Sequence, residues 1–326
     1  MINYDREKEI AFQAVKEAAL LCRRVQNEIT PDTLEKKDKS PVTVADFGSQ
    51  ALICRRLAEA FPDDPVIAEE DSKALRRPEN ARLLQQVLWH VRKFYPAADE
   101  KQVCDWIDHG NAAEYSKRFW TLDPIDGTKG FLRSEQYAVA LALIADGEIQ
   151  VSALACPNLA TQNGKSGGTI FLAQRDKGAY EYPMNDSGSF RSILVSQTEN
   201  SRNAKLCESV ESGHSSHSDS AVISRNLQIV IQPVRLDSQA KYAAVARGQA
   251  DIYLRLPTSS DYREKIWDHA GGWLIVKEAG GEVTDISGKP LDFTHGKILR
   301  ENRGVIVTNS LLHDAVLTAV KKAGIV

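Results

Sequence analysis

The chain is predicted to fold as a mixed α/β protein, on three observations. Its opening 28 residues repeat apolar positions at helical spacing. Two apolar runs, "YAVALALIAD" and "GEIQVSALACP", meet at Asp146-Gly147 as a hairpin would. Strands and helices then alternate in an order too irregular for a strict βαβ repeat, which implies layers built around a mixed sheet.

The elements follow in order. Ile10, Ala14, Val15, Ala18, Leu21 and Cys22 share one side of the first helix. In "SPVTVADFGSQALICRRLAEAF", Pro41 breaks the chain, and Asp46 stands where a helix running to about Phe61 should begin. "PDDPVIAEED" reads as a turn, a short buried strand at Val66–Ala68 and an acidic end. Residues 72–118 are charged and mostly helical, a peripheral insertion or a lid. "FWTLD" is a strand, and "GGTIFLAQRDKGAYEY" a strand pair. "QADIYLRL" is a further strand, and "DHAGGWLIVKEAG" a helix stopped by Gly280-Gly281. "EVTDI" and the strand–helix "GVIVTNSLLHDAVLTAVKKAG" close the chain. The best linker by composition lies near residues 156–168. It divides an N-terminal α+β domain, 1–157, from a C-terminal α/β domain, 158–326.

At 326 residues the chain exceeds one typical core, consistent with two domains or one large α/β body. A net charge of −3 argues against nucleic-acid or membrane-surface partners held by bulk electrostatics. The charged opening does not resemble a signal peptide, and no apolar run approaches the roughly 20 residues that span a bilayer. Five scattered cysteines without a CxxC pair suit reduced thiols in a cytoplasmic setting.

The chemistry concentrates in "LDPIDGT". An apolar run ending in Asp123 puts that carboxylate at a strand tip; Pro124 and Gly127 then shape a turn that returns Asp126 beside it and exposes the carbonyl of Ile125. Two carboxylates and a carbonyl form an all-oxygen site suited to a hard ion such as Mg²⁺. Thr128 adds a hydroxyl, and the amides of Gly127 and Thr128 would face a phosphate if a helix starts there. D-P-x-D-G is also an ordinary turn sequence. Glu69, Glu70, Asp46 and Asp268 each stand at a strand or helix end, where an acid can simply be a cap or a solvated turn residue. Their joint supply is better explained by convergence on metal ions. "NGKSGG" at 163–168 is not a P-loop, since Leu159 stands where its first glycine is required, and no G-x-G-x-x-G follows a strand.

"SPVTVAD" (40–46), "VIAEED" (66–71), "WTLDPIDGTKGF" (120–131) and "IWDHAGGWLIVKEAGG" (266–281) resemble the signature segments of the Mg²⁺-dependent, lithium-sensitive inositol monophosphatase superfamily, in the family's order. "GTKGF", "ESGHSSHS" (211–218), "LDSQAKY" (236–242) and "YLRLP" (253–257) resemble its 3′(2′),5′-bisphosphate nucleotidase branch, as does the long 72–118 region. The resemblance implies a layered α-β-α-β-α sandwich. It also implies two to three Mg²⁺ ions: a first on Glu69, Asp123 and the Ile125 carbonyl, a second on Asp123, Asp126 and Asp268, and a third, weaker one served by Glu69. Asp46 and Thr128 match the pair that orients the attacking water. Gly127, Thr128, His214, Ser238, Lys241, Arg255 and Asp268 are the implied substrate contacts.

Hydrolysis of a phosphomonoester needs a nucleophilic water, neutralised phosphate oxygens and a stabilised leaving oxygen, which such a site supplies without a phosphorylated residue. "ESGHSSHS" alone reads as a solvated loop, and Lys241 and Arg255 as a solvated face. If "DSQAKYAAVARG" is helical, Ser238 and Lys241 share a face and, with Arg255, could hold a second phosphate. The expected substrate is therefore 3′-phosphoadenosine 5′-phosphate (PAP), cleaved to AMP, with the 5′-phosphosulfate analogue (PAPS) as a second. Alternatives are inositol polyphosphate 1-phosphatase or inositol monophosphatase activity, or a catalytically dead sensor. The expected assembly is a monomer or weak dimer.

Overall fold

The structure is a computed structural model that describes residues 3–29, 40–186, 188–210, 217–257, 259 and 261–325, with the side chains of 40–42 and 217 outside that description. Strands β1 (Val66–Ala68), β2 (Arg118–Asp126), β3 (Ala138–Ala145), β4 (Glu148–Cys156), β5 (Thr169–Gln174), β6 (Ala179–Pro183) and β7 (Arg191–Ser192) form one seven-stranded sheet in chain order. Its β1–β2 pair is parallel and every other pair antiparallel. A second sheet has the order β11 (Glu282–Thr284), β12 (Val305–Thr308), β10 (Ile252–Arg255), β8 (Leu206–Glu208) and β9 (Val234–Arg235). Strands β5 to β7 lie beyond residue 157 and continue the first sheet.

Alternation along β3 shows how the layers assemble. Val139, Leu141, Leu143 and Ala145 join a core with the first helix, Asp5–Asn27, and the second, Ser40–Ala60. Ala138, Ala140, Ala142 and Ile144 face the other way, into a core with helices Ala240–Ala246 and Ala270–Glu278. Both faces of the strand are covered, so the sequence reads as one apolar run rather than alternating with polar residues. Helices His217–Asn226 and His313–Lys322 cover the far side of the second sheet through Ile223, Val316 and Val320. The result is helix, sheet, helix, sheet, helix: the layered sandwich the resemblance implied.

Small residues let the middle layer sit close. A β-carbon on Gly271 would lie 2.9 Å from the Ala140 methyl, and one on Gly272 only 2.3 Å from Cγ of Tyr242. The helix Ala270–Glu278 therefore slots between β3 and Tyr242 with no room for a methyl on that side.

Local expectations meet several differences. The Asp146-Gly147 hairpin has the anticipated two-residue loop, and both residues have positive φ (52° and 80°), the primed-turn geometry that matches strand twist. The second helix begins at Ser40, so Pro41 lies in its first turn and Asp46 inside it. Proline is tolerated there because first-turn amides have no intrahelical acceptor to lose. Residues 72–118 carry helices Ala81–Val91 and Glu100–Asp108, which pack on the second helix through Leu84, Val87, Val103 and Ile107. None of residues 72–118 reaches the cleft described below, so they are a peripheral layer and not a lid. All five cysteines are buried and free, and no helix among the described residues is long and apolar enough to cross a membrane.

Gly272→Ala tests the close middle layer. Helix propensity alone would favour alanine by about 1 kcal/mol. The overlap with Tyr242 should reverse the sign and destabilise the protein by about 1–3 kcal/mol in urea unfolding.

Candidate active site

The site begins with a break in strand register. On β2, Asp123 pairs with Ala140 and Asp126 with Ala138, so β2 advances three residues while β3 advances two. Residues three apart on a regular strand point to opposite faces. The extra residue restores the phase and brings both carboxylates to the face that meets the middle helices. This corrects the expectation of a strand tip followed by a turn: the strand runs on through Asp126, with Pro124 in the bulge. The turn comes one residue later, where Gly127 (φ 88°) caps the short helix Thr128–Leu132.

The second helix holds the bulge and the glutamate loop together. Ser49 Oγ donates to the Pro124 carbonyl at 2.9 Å. One residue on, the Gln50 side-chain nitrogen donates to the carbonyls of Glu70 (2.6 Å) and Ile107 (2.9 Å), and its oxygen accepts from the Glu70 amide at 3.1 Å. Asp46 lies one turn earlier on the same helix.

The opposite wall is built around residues 237–241. Ser238 has φ 67° and faces Gly127, where an added β-carbon would lie 2.9 Å from the Ser238 β-carbon. The Gln239 amide donates to Asp126 Oδ2 at 2.6 Å. Its side chain donates to the Trp267 carbonyl and accepts from the Gly272 amide, both at 2.9 Å, tying Asp126 to the segment that carries Asp268. Ser238 thus precedes its helix and shares no helical face with Lys241. Instead the Lys241 ammonium reaches back to the carbonyls of Ser238 (2.8 Å) and Leu236 (3.3 Å) and lies over the Tyr253 ring.

These walls enclose a cleft of about 240 Å³. Glu69, Asp123, Ile125, Asp126, Gly127, Thr128, Ser238, Lys241, Arg255 and Asp268 all line it. Asp46 is not among the lining residues; it is buried behind them, where burial, then the charges of Glu70 and Glu69, push its carboxyl well up. His214 lies outside the described residues.

Repulsion dominates the electrostatics. Burial, and then Glu69, Asp126, Asp268 and Asp46, push Asp123 well above the usual carboxylate range. Asp268 is raised by burial and by Asp126, with Arg255 opposing. Glu69 is raised by burial and by Glu70 and Asp126, although solvent at the cleft mouth screens part of that shift. Among the described residues, Asp123 Oδ1 is buried with no hydrogen-bond partner. A buried carboxylate oxygen left unpartnered among other carboxylates is strongly disfavoured unless a cation joins it. The donors are all oxygen, which fits a hard divalent ion. Glu264, Asp268 and His269 also offer ligand atoms within 4.8 Å of one another. There, however, both Glu264 oxygens are already engaged, one by Arg255 and one by His269, each at 3.2 Å.

Ser49, Gln50, Gln239 and Glu264 escaped the sequence reading. Gln50 had a signal, standing four residues after Asp46 on one helical face. Gln239 sits inside the quoted "LDSQAKY" between two residues that were singled out. Glu264 is four residues before Asp268, with nothing in its spacing to mark it.

The sequence pattern of the Inositol monophosphatase family matches residues 3–324. Proteins named 3′(2′),5′-bisphosphate nucleotidase from Emericella nidulans and Schizosaccharomyces pombe are each 42% identical to the chain; the alignments cover 98% of it and 99% and 96% of those proteins. One of the same name from Dictyostelium discoideum is 40% identical over 99% of this chain and 98% of its own. Among solved structures, an inositol monophosphatase from Zymomonas mobilis gives a TM-score of 0.65 at 19% identity, covering 98% of this chain and 100% of that one. An inositol monophosphatase from Anabaena gives 0.61 at 19% identity over 98% and 97%. At such identity the structures speak to the fold alone, and the fold agrees. The chain belongs to the inositol monophosphatase family and, within it, groups with the proteins named 3′(2′),5′-bisphosphate nucleotidase.

Proposed function

We propose that this chain is a Mg²⁺-dependent phosphatase that removes the 3′-phosphate of PAP to give AMP, and that it also acts on PAPS. One observation carries the reading. The carboxylates of Glu69, Asp123, Asp126 and Asp268, from three separate segments, line the same cleft as Lys241 and Arg255, two cations that a second phosphate on the substrate would need. The names of the 40–42% identical relatives support the same substrate class.

Glu69, Asp123 and the Ile125 carbonyl would hold one Mg²⁺, and Asp123, Asp126 and Asp268 a second, with Glu69 serving a weaker third. Cations held by these residues would supply neutralisation of phosphate oxygens, a lowered pKa for the attacking water and stabilisation of the leaving ribose oxygen. Thr128, exposed at the cleft, orients the water through its hydroxyl, and Asp46 from behind the wall holds that hydroxyl's direction. Gly127 and Thr128 present amides to the scissile phosphate. Arg255, Lys241 and Ser238 take the non-scissile phosphate, and His214 contacts the nucleoside. Inositol 1-phosphate has no second anion to engage that cationic wall.

Phosphate release from PAP should require Mg²⁺ and vanish with a chelator. Brisk turnover of inositol phosphates beside undetectable turnover of PAP would overturn the substrate assignment. Asp123→Asn should lower kcat at least roughly 100-fold. The same variant has a stability signature. The carboxyl of Asp123 is raised in the fold, so at pH 7 its ionised form destabilises the native state relative to the already ionised unfolded chain. In chelator, Asp123→Asn should therefore be more stable than the wild type. It should also lose most of the wild type's rise in melting temperature on adding Mg²⁺, read by thermal denaturation with and without the ion. Arg255→Ala and Lys241→Ala should raise KM for PAP by about tenfold or more while leaving KM for inositol 1-phosphate within about twofold.

A further inference from the structure

Behind the cationic wall runs a buried relay of four side chains from three elements. Arg255, at the end of β10, donates from Nε to Glu264 Oε1 at 3.2 Å. Glu264 Oε2 meets His269 Nε2 at 3.2 Å, and His269 Nδ1 meets the Tyr242 hydroxyl at 2.7 Å. The side chains of Glu264 and His269 are 4% and 2% exposed, and Tyr242 is fully buried. Arg255 and His269 line the cleft, while Glu264 and Tyr242 stand behind it.

We propose that Glu264 is a positioning residue for Arg255, fixed in place by His269 and Tyr242, and that through Arg255 it sets the cleft's grip on the non-scissile phosphate. The inference rests on the phosphate-binding reading of Arg255 given above. Three physical arguments support it. First, Arg255 lines the same cleft as the carboxylates of Glu69, Asp123, Asp126 and Asp268. A flexible guanidinium in such a cleft would turn onto those acids. A carboxylate already bonded to Nε holds the guanidinium plane away from that collapse. Second, Glu264 suits the task because Arg255 and His269 keep it ionised, down to about 2 against the penalty of burial. Third, its direction is fixed rather than free. An ionised carboxylate only accepts, so His269 Nε2 donates to it, while Nδ1 on the other side of the ring meets the Tyr242 hydroxyl. The relay thus runs from Arg255 Nε to the Tyr242 hydroxyl, ending on helix Ala240–Ala246, which also carries Lys241. Both cations facing the proposed second phosphate are set from one scaffold.

The test is a double-mutant cycle on steady-state kinetics with two substrates, PAP and adenosine 3′-phosphate, which lacks the 5′ group. Glu264→Gln keeps the shape and removes the charge. It should raise KM for PAP by about tenfold with kcat within about twofold, and leave KM for adenosine 3′-phosphate unchanged. In an Arg255→Ala background, Glu264→Gln should add nothing further for PAP. An equal loss in both backgrounds, or an equal loss on both substrates, overturns the inference. Arg255→Ala alone tests the underlying reading: unchanged KM for PAP would remove the phosphate role of Arg255 itself. If Glu264→Gln does not fold, Tyr242→Phe is the second variant. It should raise KM for PAP by about two- to threefold with no effect on adenosine 3′-phosphate, and parallel effects on both substrates would overturn the proposal.

Discussion

Like charges forced into one cleft are the constraint around which this protein is organised. Asp123, buried beside Glu69, Asp126 and Asp268, is an arrangement no chain adopts by packing preference, because burial and mutual repulsion both oppose ionisation. It persists because the backbone beneath is overdetermined. The β2 bulge aims Asp123 and Asp126 together, Ser49 and Gln50 clamp the bulge and the glutamate loop to one helix, and Gln239 ties Asp126 to the Asp268 segment. Every clamp uses a neutral side chain or amide, so none cancels the negative field.

The cleft is divided by charge. One wall collects carboxylates from β2, the loop after β1 and the turn before the helix Ala270–Glu278. The other carries Lys241 and Arg255, each secured by an acceptor, the Ser238 carbonyl and the Glu264 carboxylate. Lys241 is held by carbonyl oxygens, and Arg255 by the buried carboxylate of Glu264. A polyanionic ester meets both signs of charge here, one wall through bound cations and the other directly.

Much of this was legible before any coordinates. Type and order of the elements followed from periodicity, and "LDPIDGT" announced an oxygen-rich site. The layer order came only from the family resemblance, since β3 reads as a plain apolar run whichever helices cover it. What escaped has a common physical character. The bulge at Asp123–Asp126 depends on how β2 pairs with a strand a dozen residues later, and no local pattern encodes a register shift. Pro41 looked like a stop because a proline at a helix start and one after a helix end look alike in isolation. Ser238 and Lys241 were given a common helical face, but the left-handed Ser238 precedes the helix. Gln50, Gln239 and Glu264 act through neighbours that are distant in sequence or unremarkable in spacing. The acids and cations of the cleft were readable, while the side chains that hold them in place mostly were not.

The register shift in β2 also shapes what the lineage can explore. Exchanging one side chain near the cleft alters one contact and leaves the frame intact. Losing or gaining a single residue between Asp123 and Asp126 would rotate one carboxylate to the opposite face of the sheet, where the first two helices lie, with the strand upstream unchanged. The number of residues in this short stretch is therefore as constrained by strand geometry as its two acids are by their chemistry.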